Sequence, residues 1–314
     1  MHWSLQNIPP QNDKRVVVTG VGGLGFEAAL ALAGAGAEVI LAGRNPQKGT
    51  DAVRHLVRML PQARVRFELL DLASLASVYS FADRLVAEAQ PIAILVNNAG
   101  VMMPPQRQAT VDGFELQFGT NYLGHFALTA RLLPLLCQGQ ARVVNLSSIA
   151  HRGAAIQFDD LQWERRYKPW AAYGQSKLAM LMFSCELQRR SQQEGWGLSS
   201  YAAHPGFART ELIANGPKLG PLLAQINQWI QPFVSHSAAQ GALPTLFAAV
   251  DPQAQAGAYY GPDGWFELKG PPHLAKVAAP ARDADAAARL WTVSEQLTGT
   301  HWLPQTSGVA RCIS

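Results

Sequence analysis

The sequence has 314 residues, of which 48% are hydrophobic and 15% charged, a composition that favours a globular protein with a large core. Lysine and arginine number 26 against 22 acidic residues, so the net charge of +4 is too small and dispersed to predict nucleic-acid binding. No apolar run reaches the roughly 20 residues that a transmembrane segment needs. The three cysteines, Cys137, Cys185 and Cys312, lack metal-ligand spacing, and they predict a reduced, cytoplasmic protein with no metal.

Short apolar runs rich in β-branched residues alternate with helical stretches along the chain. Strands are predicted at residues 15–19, 38–42, 65–70, 92–97, 141–146, 198–203 and 257–261. Helices are predicted at residues 26–36, 47–60, 77–89, 113–136 and 170–194, and a last one from a cap at Asp283 to Leu297. This alternation predicts an α/β fold, a single-domain doubly wound parallel sheet of about seven strands with helices on both faces.

Two stretches interrupt the alternation. Residues 150–169 are polar and aromatic and are predicted as an insertion, and residues 207–237 are predicted as a substrate lid. The domain assignment is an N-terminal tail at 1–13, a dinucleotide-binding catalytic domain at 14–298 and a C-terminal tail at 299–314. The aliphatic side chains and Trp229 of the lid favour a hydrophobic ligand. Alternatively, these side chains only pack the lid onto the domain.

A glycine-rich turn lies between the first strand and the first helix. It contains Gly20, Gly22, Gly23, Leu24 and Gly25. Glycines let the backbone approach a pyrophosphate, and the helix N-terminus offers N–H groups and a positive dipole end. The position of the turn at the head of an alternating chain predicts a dinucleotide site, although a tight turn that binds nothing has the same sequence.

The residue that follows the second strand bears on the choice of cofactor. An acidic side chain there would bind the adenosine ribose of NAD, whereas a cationic one can hold the 2′-phosphate of NADP. No carboxylate occurs between Val39 and Asn45, and Arg44 stands at this position. The sequence therefore predicts that NADP(H) is preferred over NAD(H), the alternative being that Arg44 is a solvated surface residue.

Four polar side chains are candidates for the chemistry. Tyr173 and Lys177 are four residues apart on one predicted helix, where an ammonium beside a phenol would lower the phenol pKa and make a general acid or base. Ser148 follows the fifth strand and could hydrogen-bond a carbonyl, or simply cap a helix. Asn121 is a polar residue in a packed helix, and its alternative role is a buried amide satisfied by the backbone.

Taken together, these motifs resemble those of the short-chain dehydrogenase/reductase family over roughly residues 14–302. The markers occur in the family's order: the glycine turn, the sequence Asn-Asn-Ala-Gly at 97–100, Asn121, Ser148, and Tyr173 with Lys177. The stretches 143–151, 158–161, 173–178 and 289–291 most resemble the retinol dehydrogenase-like branch, as does the insertion between Ser148 and Tyr173.

This resemblance implies a role for each matching residue. Tyr173 would exchange a proton with the substrate oxygen, Lys177 would bind the nicotinamide ribose, and Ser148 would polarise the carbonyl. Asn121 would support a water in the proton relay. The remaining cofactor contacts implied by the resemblance are Asp71 and Leu72 at the adenine, Asn98, Ala99 and Gly100 at the adenosine side, and Pro205, Gly206 and Thr210 at the nicotinamide end.

One departure from the family pattern leaves alternatives open. The family's turn has three residues between its first two marker glycines, but only two separate Gly20 from Gly23. The main hypothesis is an NADP-dependent oxidoreductase that interconverts an alcohol and a carbonyl on a hydrophobic small molecule. The others are a catalytically idle dinucleotide-binding sensor or scaffold and a two-domain sugar-nucleotide epimerase. Self-association into a homo-oligomer stays open.

Overall fold

The computed structural model describes residues 3–207 and 237–302, which form an α/β structure around one sheet. Its eight strands are β1 Arg15–Thr19, β2 Glu38–Gly43, β3 Arg64–Leu69, β4 Ile94–Asn97, β5 Arg142–Leu146, β6 Ser199–Ala203, β7 Tyr259–Pro262 and β8 Pro272–Leu274. Its α-helices are α1 Gly23–Gly34, α2 Pro46–Met59, α3 Leu75–Glu88, α4 Gly124–Gln138, α5 Pro169–Glu194, α6 Ala238–Val250 and α7 Ala284–Thr298.

The order of the strands places a crevice at the centre of the sheet. The order is β3-β2-β1-β4-β5-β6-β7-β8, parallel except for the pairing of β8 with β7. Val17 of β1 lies opposite Ile40 of β2 on one side and Leu95 of β4 on the other. The strand order reverses between β1 and β4, which is where open α/β sheets bind ligands, at the carboxyl ends of the strands.

Two hydrophobic cores cover the two faces of the sheet. Successive residues of β1 point to opposite faces, so Val17 joins the core beneath α3, α4, α5 and α7, and Val16 and Val18 join that beneath α1, α2 and α6. All three valines are fully buried. Burial on both faces explains why the strands appear in the sequence as continuous apolar runs.

Most predicted elements are confirmed, but the structure adds a helix that was not predicted, α6 Ala238–Val250, and differs from the prediction at several element boundaries. The sheet has one strand more than predicted, because β8 pairs antiparallel with β7 through only three residues. The fourth and seventh strands begin at Ile94 and Tyr259, each two residues later than predicted, and α1 begins at Gly23, three residues earlier than predicted. The helix predicted at 113–136 is shorter at its start, and its first part, Phe118–Leu123, is a π-helix that leads into α4.

Residues at both described ends of the chain pack onto the domain. The Trp3 ring lies 5.6 Å from that of Phe247, and the Trp3 indole N–H donates to Asp251 at 2.6 Å. Trp302, inside the stretch predicted as a C-terminal tail, is buried with its ring 4.4 Å from Trp291. The predicted lid at 207–237 lies almost entirely outside the described residues, as does Cys312. None of the described helices combines the length and apolar character needed to cross a membrane.

Candidate active site

The glycine-rich turn is packed tightly against its own first residue. Gly20 has a left-handed backbone with φ of 91°, and α1 begins at Gly23 with Gly22 as its N-cap. A Cβ on Gly25 would lie 2.2 Å from Gly20 O and 2.6 Å from Asn98 Nδ2. Gly22, Gly23 and Leu24 line the cleft in front of the turn, whereas Gly25 lies behind it. The shortened turn therefore keeps a helix N-terminus at the cleft, as a phosphate site requires.

The loop after β4 is tied to the same turn. Thr19 Oγ1 accepts hydrogen bonds from the backbone N–H groups of Asn98 at 2.9 Å and Ala99 at 3.0 Å. The Asn98 side chain donates to Thr19 O at 2.7 Å. Asn98, Ala99 and Gly100 consequently line the cleft directly beside Gly20 and are fixed to the glycine-rich turn.

Ser148, Tyr173 and Lys177 are brought together on the other side of the cleft. Ser148 is the N-cap of a 3₁₀-helix, Ile149–Gly153, and its Oγ accepts from Ala150 N at 3.2 Å. Because the hydroxyl uses an acceptor site there, its own proton is available for donation. Tyr173 and Lys177 lie one turn apart on α5, with Lys177 Nζ 5.8 Å from the centre of the Tyr173 ring.

Burial dominates the protonation of both residues on α5. Burial raises the pKa of Tyr173 to about 12, although a side-chain hydrogen bond with Ser148 acts in the opposite direction. Burial lowers the pKa of Lys177 to about 8, and its ammonium donates to Leu146 O at 3.1 Å. The pKa of Tyr173 is thus raised overall rather than lowered, because desolvation of the phenolate outweighs the other influences.

Asn121 is held by the backbone rather than exposed to the cleft. Its side-chain oxygen accepts from Val101 N at 2.7 Å, and its Nδ2 donates to Val101 O at 3.0 Å and Ser176 Oγ at 2.9 Å. The neighbouring Thr120 lines the cleft, but Asn121 does not. These contacts match the alternative of a satisfied buried amide, and they connect the loop after β4 to α5.

Most of the other predicted contact residues line one continuous cleft of about 460 Å³. The members named from sequence are Arg44 after β2, Asp71 and Leu72 after β3, and Pro205 and Gly206 after β6. Thr210 lies outside the described residues. Asp71 is further fixed by its own loop, since its carboxylate accepts from Ala73 N at 3.0 Å.

Trp170 is a cleft residue that the sequence analysis missed. It stands three residues before Tyr173 on α5, its ring lies 6.0 Å from the tyrosine ring, and 58% of its surface is exposed. The signal was present in the sequence, because residues three apart share one helix face. An indole exposed beside a polar cluster provides an apolar wall for a ligand.

The described residues contain no cluster of three or more histidine, cysteine or acidic side chains that could hold a metal ion. The polar groups at the cleft include hydroxyls, a phenol, ammonium and guanidinium groups, the Asp71 carboxylate and backbone N–H groups. Such a set can bind a phosphorylated cofactor and move a proton to or from a substrate oxygen.

Comparison with known proteins identifies the family. A family model described as short chain dehydrogenase matches residues 14–218, which include the glycine turn, Ser148, Tyr173 and Lys177. The chain belongs to this family. It is 42% identical to Retinol dehydrogenase 12 of Mus musculus over 92% of this chain and 87% of that protein. It is 38% identical to Polyprenol dehydrogenase of Homo sapiens over 80% of this chain and 77% of that protein.

Solved structures agree with this assignment. A protein of Mycobacterium paratuberculosis has a TM-score of 0.80 at 39% identity, over 97% of this chain and all of that one. A short chain dehydrogenase of Shigella flexneri 2a complexed with NADP has a TM-score of 0.61 at 25% identity, over 81% and 98% of the two chains. The protein is thus an NAD(P)-dependent short-chain dehydrogenase/reductase acting on CH–OH donors, of the retinol dehydrogenase-like branch.

Proposed function

We propose that this short-chain dehydrogenase uses NADP(H) to interconvert an alcohol and a carbonyl on a hydrophobic small molecule. The observation that carries the proposal is the meeting of Ser148, Tyr173 and Lys177 with the glycine turn in one cleft. Hydroxyl and phenol groups that face a helix N-terminus across a cleft suit a reaction in which a bound dinucleotide and a carbonyl substrate meet.

The residues of the cleft fit a phosphorylated dinucleotide. The turn leaves no room for a Cβ on Gly25, whereas a Cβ on Gly22 would meet nothing within 4 Å, so the backbone is open on the cleft side. Arg44 and Lys48 lie at the end of the cleft nearest β2. A cation at this position favours a 2′-phosphate over a free ribose diol, and this supports the preference for NADP(H).

The protein's own residues would handle the proton while the cofactor handles the hydride. When bound, the nicotinamide supplies or accepts the hydride at the substrate carbon. Tyr173, whose pKa burial raises to about 12, is a neutral phenol near pH 7 and can donate its proton to the substrate oxygen. Ser148 would donate its hydroxyl proton in a hydrogen bond to the same oxygen. Lys177 would orient the nicotinamide ribose beside Tyr173.

The substrate side of the cleft is predominantly apolar. Trp170, Met102, Ile149 and Phe207 are among its lining residues, and the Trp170 ring lies 6.0 Å from that of Tyr173. Each Å² of apolar surface that is buried contributes about 25 cal/mol to the free energy of binding. Such a wall therefore favours substrates with a long or planar hydrocarbon group. The names of the relatives, a retinol dehydrogenase and a polyprenol dehydrogenase, are consistent with an apolar alcohol.

The test is NADPH consumption, followed by absorbance, with paired aldehydes that share the carbonyl and differ in apolar length. We expect kcat/KM to rise with the length or planarity of the apolar group and to be higher with NADPH than with NADH. Equal kcat/KM for acetaldehyde and a long apolar aldehyde would contradict the substrate class. NADPH binding without turnover of any aldehyde or ketone in the panel would favour the idle dinucleotide-binding alternative.

A further inference from the structure

The segment at 263–278, between β7 and the residues before α7, contacts both sides of the active site. Two of its residues adopt left-handed backbone conformations without being glycine, Phe266 with φ of 50° and Glu267 with φ of 58°. Such conformations are costly and persist where surrounding contacts enforce them. At Glu267 the enforcing contacts are hydrogen bonds from His204 Nε2 at 3.0 Å, from Lys276 N at 3.1 Å and from the Arg152 guanidinium.

The hydrogen bonds of His204 define its protonation. Its Nδ1 accepts from Gly206 N at 3.2 Å, so this nitrogen carries no proton, and Nε2 must carry the one donated to Glu267. The ring is fully buried and lies 5.1 Å from that of Tyr259. A second proton on His204 would therefore remove its hydrogen bond to the turn at Gly206.

The turn at Pro205 and Gly206 rests directly on the 263–278 segment. Phe207 N donates to Leu268 O at 2.9 Å. Gly206 has φ of 66°, and a Cβ there would lie 2.4 Å from Leu268 O. The turn thus follows any movement of this segment.

The same segment also holds the residues after Ser148. Arg152, four residues after Ser148, bonds the Glu267 carboxylate. His151 donates from Nδ1 to Ser148 O at 2.6 Å and accepts at Nε2 from Ala278 N at 3.3 Å. Two buried histidines therefore each connect one side of the active site to the 263–278 segment.

We propose that Glu267 is a positioning residue that, through His204 and Arg152, sets the turn at Pro205–Gly206 relative to the Ser148 loop. The inference rests on the proposed function, in which that turn contacts the nicotinamide end of the cofactor and Ser148 contacts the substrate. None of these three side chains was among the sequence-predicted site residues.

The ionised state of Glu267 suits this role. Burial alone would raise the pKa of Glu267, but the hydrogen bonds from His204 and Lys276 N and the charge of Arg152 outweigh it and lower the pKa to about 2. Burial lowers the pKa of His204, while Glu267 acts to raise it and Arg152 to lower it. Near pH 7 the Glu267 carboxylate thus accepts a hydrogen bond from the neutral His204 ring. This bond favours the tautomer with its proton on Nε2, which leaves Nδ1 free to accept from Gly206 N.

The first experiment measures NADPH affinity by fluorescence titration for wild type and Glu267→Gln. The amide cannot accept two charge-assisted hydrogen bonds as the carboxylate does, and we expect Kd to rise about tenfold. Glu88→Gln is the matched control, because the Glu88 carboxylate also accepts from two side chains, those of Arg15 and Arg66, at the start of the sheet and away from the cleft. Its Kd should stay within twofold of the wild-type value.

The second experiment tests whether His204 transmits the effect. His204→Phe keeps a ring against Tyr259 but cannot bond Gly206, so it should weaken NADPH by a similar factor. The double variant that also carries Glu267→Gln should have a Kd for NADPH no higher than that of the more impaired single variant, because both changes break the same connection. Multiplicative losses in the double variant would overturn the proposal.

The pH profile supplies a readout that a general loss of stability would not give. Protonation of His204 should weaken NADPH binding on the acid side in wild type. Glu267→Gln removes the negative charge that favours the imidazolium, so this loss should move to lower pH. If NADPH binding is lost at the same pH in Glu267→Gln and in wild type, the proposed role of Glu267 is wrong.

If Glu267→Gln does not fold, Arg152→Gln can be used instead, because the Arg152 side chain is more exposed than that of Glu267. It should lower kcat through the Ser148 loop and leave the Kd for NADPH within about twofold of the wild-type value. Unchanged kcat in Arg152→Gln, or an unchanged Kd in a folded Glu267→Gln, overturns the proposal. If wild type binds no NADPH, the proposed cofactor site fails, and this inference fails with it.

Discussion

Replacing Gly25 with alanine should weaken cofactor binding at the glycine-rich turn while leaving the rest of the fold intact. The added Cβ would lie 2.2 Å from Gly20 O and 2.6 Å from Asn98 Nδ2. Ordinary contact begins near 3.4 Å, so α1 must move by about 1 Å relative to Gly20. Overpacking of this kind costs about 1–3 kcal/mol, and because the displaced atoms belong to the turn that we propose holds the cofactor phosphates, we expect NADPH affinity to fall by about 10- to 100-fold.

Gly34→Ala is the matched control, since it adds the same methyl group near the end of the same helix. Its Cβ would meet only Leu60 Cδ1, at 3.5 Å, which is an ordinary contact. This variant should bind NADPH as wild type does and gain up to about 1 kcal/mol of stability, because glycine is a poor helix former. Fluorescence titration and thermal melts measure both effects. If Gly25→Ala binds NADPH as tightly as Gly34→Ala, the turn does not hold the cofactor.

Two further predictions concern the charged residues of the cleft. Arg44→Ala should weaken NADPH by about 10- to 150-fold and leave NADH nearly unchanged, and equal losses in calorimetric titrations would mean that Arg44 acts structurally. Lys177→Met should abolish most turnover yet raise the melting temperature at pH 7, because burial lowers the pKa of Lys177 to about 8 and its protonated form opposes folding by up to about 3 kcal/mol. Between pH 8 and 10.5 the unfolded chain binds more protons than the folded protein, so wild type gains stability as the pH rises. The difference in melting temperature between Lys177→Met and wild type should therefore shrink over this range. A constant difference would show that the buried ammonium is not its cause.

The sequence was sufficient for the elements that local patterns specify. The valines of β1 form a continuous apolar run because both faces of the strand are buried, and this pattern is visible without the structure. β8 was missed because it contains only Pro272–Leu274, with two of three side chains exposed, and depends on pairing with β7. A strand defined by its partner leaves little periodic signal.

The candidate site divides in the same way. Tyr173 and Lys177 are one turn apart on a helix, so their proximity follows from spacing. The pKa of Tyr173 does not, because it depends on how deeply the folded protein buries the phenol. The contact between His204 and Glu267 joins residues 63 positions apart, and no local pattern connects them. Non-local burial and charge pairing are therefore the parts of the site that required the structure.

The central claim is that Tyr173 exchanges the proton with the substrate oxygen in an NADP-dependent reaction. The most direct measurement is the rate of NADPH oxidation with a hydrophobic aldehyde by wild type and Tyr173→Phe, alongside the NADPH affinity of both. Phenylalanine keeps the ring on α5 and removes only the hydroxyl, so the Kd for NADPH should change little. We predict that kcat falls by about 100- to 10,000-fold, the usual contribution of general acid–base catalysis. A Tyr173→Phe variant that turns over within a few-fold of wild type would contradict the claim.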